Sequence, residues 1–135
     1  MRQTSLKKEL IISAHNQTKD GNGLPVDLYP AAVISSDTTT LSTARILPVH
    51  ANQIVAISTV SSRTDGTYTT TIEHSADGSN WHVWKAGAAQ SANGAVTISV
   101  DGGRAILPYV RASIVSASTT SGATVAVALY FGNQR

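Results

Sequence analysis

A chain of 135 residues with net charge +2 and no cysteine is long enough for one domain to bury roughly two-thirds of its unfolded surface, and it has no disulfide or thiolate chemistry. Charged residues are only 13% of the sequence, which argues against the broad basic footprint of a nucleic-acid binder; the pI of about 9.2 reflects a small excess on a nearly neutral protein. No apolar run reaches the roughly 18 residues of a helical membrane span, so neither nucleic acid nor membrane is an expected partner.

The start, MRQTSLKKELIIS, is basic but lacks an apolar core followed by a small-residue cleavage site. No signal peptide is therefore expected, and synthesis in the cytoplasm is. Residues 1–8 read as an arm carrying Arg2, Leu6, Lys7 and Lys8, with 9–135 as a single domain that begins with an edge strand at 9–15. The arm is open to two readings, a solvated terminus or a segment that docks on a neighbouring subunit.

From there alternation of period two dominates, with β-branched residues throughout. Short strands are expected at Val26–Leu28 and Ala44–Val49, with 35–43 as a loop. IVAISTV at 54–60 is apolar on both faces, which marks a central strand. Further strands are expected at 67–75, at Trp81–Lys85, at Ala95–Val100 (AVTISV), at Tyr109–Val115 (YVRASIV) and at Thr124–Phe131 (TVAVALYF), the last two joined by the turn-prone SASTTSG. Turn signals fall between them: DGNG at 20–23, TDG at 64–66, ADGSN at 76–80, ANG at 92–94 and DGG at 101–103. About eight short strands at this spacing predict an all-β chain, an antiparallel sandwich or barrel.

The densest stretch, TIEHSADGSNWHVW at 71–84, holds two of the four histidines and both tryptophans. On a hairpin, Asp77 sits in the turn and accepts hydrogen bonds from the amides that follow, with Ser75 and Asn80 bonding locally. Trp81 and Val83 then share one face, His82 and Trp84 the other, and His74 lies with Tyr68, Thr70 and Ile72. His74 and His82 approach across the hairpin, but neither Glu73 nor Asp77 joins them to complete a metal set. The predicted core is Trp81, Tyr68, Ile72, Ile57, Val110 and Val127.

Enzymatic chemistry finds no support. No Gly-x-Ser-x-Gly elbow is present, Gly102-Gly103 lacks a following helix to cradle phosphate, and a nucleophile, base and orienter cannot be assembled. Eight scattered acids and 5% aromatic residues suit neither glycoside hydrolysis nor a sugar cleft. No catalytic residue, metal or cofactor is expected. Arg111 is the one charge inside an apolar strand. Alternation places it opposite Val110 and Ala112, with its stem along the sheet and its guanidinium reaching the edge or an acidic partner; the other reading makes it a ligand or subunit contact.

SADGSNW at 75–81 followed by GRAILPYVRASIV at 103–115 resembles the Ser-x-Asp-Gly-x-x-Trp hairpin and later Arg-bearing strand of discoidin-like, or galactose-binding-like, sandwiches. The order NGLPVDL, strand, SADGSNW, YVRASIV and a final hairpin into VAVALYFG resembles small sandwich proteins of tailed-bacteriophage virions, over most of residues 22–132. The resemblance implies a jelly-roll or discoidin-like sandwich in the particle: a capsid decoration or cement protein bound non-covalently to the major capsid protein or other virion proteins. The expected assembly is a homotrimer. The low-charge Ser/Thr/Ala surface, cheap to desolvate, agrees with such a role. The alternative is a carbohydrate-binding discoidin-like module on a tail or adhesion component. Loops 35–43, 61–66 and 86–94, which would form its platform, contain no Trp, Tyr or Phe, and the absent cysteine pair departs from secreted discoidin domains.

Overall fold

Segments in which every second residue is apolar bury those residues only by stacking two sheets face to face. A computed structural model, which describes residues 26–47, 53–100 and 107–132, shows this arrangement. Its nine described strands are β1 (Val26–Ile34), β2 (Thr38–Leu41), β3 (Arg45–Ile46), β4 (Gln53–Ser61), β5 (Thr67–Ser75), β6 (His82–Ala86), β7 (Gly94–Val100), β8 (Tyr109–Ala117) and β9 (Ala123–Gly132). Sheet I has the order β1-β9-β4-β7; sheet II has the order β2-β8-β5-β6, with β3 also pairing β8. All pairings are antiparallel. The protein is an all-β antiparallel sandwich.

Strand β5 matches its predicted span, and β4 is central, as its two-faced apolar sequence requires. The arm at 1–8 and the strand expected at 9–15 lie outside the described residues, as do the turns at 20–23 and 101–103. Two expectations are corrected. The 35–43 segment is not all loop: Thr38–Leu41 is a strand paired with β8 from Thr38↔Ser116 to Leu41↔Ser113. The connection SASTTSG does not close a final hairpin, because β8 belongs to sheet II and β9 to sheet I. Among the described strands, only β5 and β6 are consecutive in sequence and paired directly with each other. The other turn-rich connections mostly carry the chain from one sheet to the other.

The inward residues form one core: Leu28 and Ile34 from β1, Ile54 and Val60 from β4, Tyr68 and Ile72 from β5, Val110 and Ile114 from β8, and Val125, Val127, Leu129 and Phe131 from β9. Four of the six predicted core residues are therefore buried. Ile57 is not; it stands half-buried on the outer face of sheet I, opposite Thr97 and Ala128. The inward position beside it goes to Ser58, fully buried, whose hydroxyl meets that of Thr70 across the sandwich at 2.7 Å and the Gln90 Oε1 at 3.2 Å. A buried hydroxyl costs little when both neighbours bond it. Ser58 thus shares the inward face of β4 with Ile54, Ala56 and Val60.

Asp65, at the β4–β5 crossover, gathers the other crossover onto itself. Its carboxylate accepts from the Thr120 hydroxyl and from the amides of Thr120, Ser121 and Gly122 at 3.2, 3.1 and 2.8 Å. The Thr120 hydroxyl, then the Gly122 amide, hold this carboxyl well below the usual carboxylate range. A pKa lowered by folding gives stability that is complete above about pH 4 and lost as pH falls below it. Asp65→Asn is expected to melt at a lower temperature at neutral pH and to lose less on acidification than the parent. Melting curves recorded from neutral to acid pH check both; parallel curves for the two proteins would show the clamp to be inert.

Candidate interaction face

The 71–84 stretch folds as a hairpin whose turn is held by Asp77. Its carboxylate accepts from the amides of Ser79 and Asn80, each at 2.9 Å, and from the Asn80 side-chain amide at 2.8 Å. The Ser75 hydroxyl donates to it at 3.0 Å and accepts from the Gly78 amide at 2.9 Å. The Asn80 and Ser79 amides lead in holding the Asp77 carboxyl well below its ordinary range. These are the local bonds expected of the turn.

The return strand departs from simple alternation. Ile72 pairs with Lys85 but Glu73 pairs with Val83, so Trp84 is an extra residue in a β-bulge. Alternation from His82 leaves Trp84 on the inner side with His74, where it is 3% exposed and stacks on the His74 ring at 5.4 Å between centroids; the bulge shifts only Lys85 and Ala86 beyond it. Trp81, predicted as core, is instead half-buried on the outer side. There it meets Arg111, whose guanidinium carbon lies 4.3 Å from the Trp81 ring centroid. His74 and His82 are register partners, as expected. Glu73 is turned to the outer face, and among the described residues no three His, Asp or Glu side chains converge.

Arg111 sits on the outer face of β8, between buried Val110 and Ala112. Glu73 is its cross-strand partner, and the Arg111 Nε donates to Glu73 Oε1 at 2.7 Å. The guanidinium is thus held by a carboxylate along its edge and by the indole over its plane, an arrangement a lysine cannot reproduce. The first reading of Arg111 holds here: its stem follows the sheet to an acidic partner, with its head partly open to solvent.

Around this triad sheet II presents large apolar side chains to water. Of the five exposed large hydrophobic residues described, four belong to it: Leu41 (49% exposed), Ile46 (69%), Val83 (64%) and Val115 (46%). The register places them on the outward face: Leu41 opposite Ser113, Val115 opposite Thr39 and Thr69, Val83 opposite Glu73, and Ile46 opposite Tyr109. The spaces between are filled by Thr39, Thr69 and Thr71, and the one described ion pair neutralises itself. A face of this composition loses little solvation when covered, and single exposed hydrophobes become informative when they share a face. Of the residues the sequence offered as partner contacts, Arg111 falls on it; Arg2, Leu6, Lys7 and Lys8 lie outside the described residues. Leu41 and Val115 were legible only through the alternation of TTTL and ASIVS, once TTTL is known to be a strand.

No protein-family model matches the chain, and no curated protein does. Among solved structures, the chain is similar to the PBSX exported protein XepA, with a TM-score of 0.66 at 14% sequence identity. The likeness covers 87% of this chain and 39% of XepA, so the chain spans well under half of that protein's length. At this identity the likeness concerns the fold: the two-sheet sandwich described above is shared with part of XepA.

Proposed function

We propose that this protein is a structural component of a tailed-bacteriophage particle that binds other virion proteins non-covalently, most specifically as a decoration or cement protein on the capsid lattice. The observation that carries the reading is the outer face of sheet II, where Leu41, Ile46, Val83 and Val115 surround the Trp81–Arg111–Glu73 triad. Two further supports are the sandwich it has in common with a phage PBSX exported protein and its resemblance in sequence order to small virion sandwiches. The mechanism is area burial. A stable contact covers about 1,600 Å² in total, and repetition of that contact by a homo-oligomer on a symmetric lattice adds avidity without new chemistry. Trp81 and Arg111 serve as the anchor, since a desolvated aromatic–arginine pair concentrates binding energy at the centre of a patch. Binding, not catalysis, is the proposed activity, and the particle is its proposed location.

The test is co-sedimentation with purified particles stripped of the protein. The parent is expected to bind, and Arg111→Ala and the pair Leu41→Asp with Val83→Asp are expected to lose occupancy at least tenfold while melting close to the parent. Undiminished occupancy by both variants overturns the assignment of this face. Binding to a glycan array in the absence of particle binding would instead favour the carbohydrate-binding alternative.

A further inference from the structure

We propose that β7 is an assembly edge and pairs antiparallel with β7 of a second copy of this chain, about a two-fold axis passing near Thr97. Among the described residues sheet I ends in β1 at one edge and β7 at the other, and sheet II in β2 with β3 at one edge and β6 at the other. An open edge offers unpaired N–H and C=O groups to any other strand, and stable proteins blunt it by shortness, bulges, charge or proline. Strand β1 carries Asp27, Pro30 and two register shifts. Strands β2 and β3 have four and two residues. Strand β6 has the Trp84 bulge and Lys85. Strand β7 has none of these devices. Its seven residues, GAVTISV, include no charge and no proline, and its register with β4 is unbroken from Ile54↔Val100 to Val60↔Gly94. The Gly94 carbonyl accepts from the Gln90 side chain at 3.1 Å; no other described strand lies along its free side.

The occupant is argued from the strand itself. A register centred on Thr97, the midpoint of β7, sets Thr97 of one copy against Thr97 of the other and Ala95 against Ser99 on the outer face. On the inner face Val96, half-buried, meets Ile98, which is buried. Inner residues face inner residues, no charge opposes another, and a threonine pair is a favourable cross-strand neighbour. The two four-stranded sheets then join into one of eight, through an isologous contact that closes after two copies. The pairing is independent of the capsid reading, and it implies a dimer in solution in place of the expected trimer.

Solution mass measured by light scattering or sedimentation tests it. The parent is expected as a dimer at micromolar concentration. Thr97→Lys and Thr97→Glu, each of which sets like charges opposite one another, are expected to weaken the dimer roughly tenfold or more. Mixing the two variants is expected to restore it as a heterodimer, while Thr69→Lys on the outer face of sheet II leaves the mass unchanged. Amide exchange in β7 is expected to slow as the parent is concentrated, a readout that needs no variant. A monomeric or trimeric parent, a Thr97→Lys protein as dimeric as the parent, a mixture that stays monomeric, a monomeric Thr69→Lys protein, or β7 amides indifferent to concentration would each overturn the proposal.

Discussion

Replacement of Gly122 by alanine is expected to leave almost no folded protein. Gly122 ends the crossover from β8 to β9 with φ at +94°, and a Cβ built there would lie 2.0 Å from the Ile34 carbonyl oxygen. That oxygen belongs to backbone and cannot swing aside as a side-chain tip does. The position is also fixed from its other sides, since the Gly122 amide donates to Asp65 at 2.8 Å and its carbonyl accepts from the Thr64 amide at 2.9 Å. A left-handed non-glycine residue alone costs about 1–3 kcal/mol; the clash adds enough that the total is expected to exceed about 4 kcal/mol, the range of exceptional substitutions. Gly78→Ala is the matched control. Its φ is +79°, but the nearest atom to an added Cβ is 4.0 Å away, so about 1 kcal/mol is expected. Soluble yield and denaturant unfolding compare the two, and a Gly122→Ala protein as stable as Gly78→Ala would show that the β1–β9 end of the sandwich relaxes freely.

The second large effect is expected at Trp84. Truncation to alanine removes a fully enclosed indole from the end of the core and deprives the His74 ring of its stacking partner. The expected loss is about 3–5 kcal/mol, as for other large-to-small aromatic changes in cores. Trp81→Ala, by contrast, opens no enclosed cavity and gives up a cation–π contact and part of an exposed surface, for about 1–2 kcal/mol. Urea unfolding of both variants provides the comparison. The reverse order of effects would mean that Trp81, not Trp84, is the indole enclosed in the core.

These two tryptophans show where sequence reasoning stops. Alternation in TYTTTIEHS determined a strand with the correct inward face at Tyr68 and Ile72, and Asp77-Gly78 determined the hairpin turn with its Ser75 and Asn80 bonds. Those signals are local: side chains alternate every second residue in any strand, and an Asp turn bonds to its own next few amides. The sandwich class followed from the number and spacing of such units. Alternation also sets Trp81 and Trp84 on opposite sides, but which side meets the second sheet is decided by how β6 pairs with β5, with His82 against inward His74 and Val83 against outward Glu73. Ile57 and Ser58 exchange their expected places for a related reason, since Thr70 of β5 and Gln90 of the β6–β7 connection come together to satisfy the Ser58 hydroxyl.

Which connections are hairpins was likewise decided only in three dimensions. TDG, ANG and SASTTSG carry ordinary turn chemistry, yet each leads the chain into the opposite sheet. The glycine that permits a tight reversal equally permits a corner, and the choice is made by the partners that remain: β9 completes sheet I between β1 and β4, while β8 is enclosed by β2, β3 and β5. The candidate face depends on the same long-range pairing. Arg111 was visible as a charge in an apolar strand, but Glu73 is 38 residues away and is brought to it only by the register of β5 with β8. Trp81 reaches the same spot because it stands just before β6 on the side of Val83, which pairs with Glu73. Composition determined that the protein carries few charges; the pairing of strands decided that four of the five described exposed apolar residues share the outer face of sheet II and that, among the described strands, β7 ends sheet I.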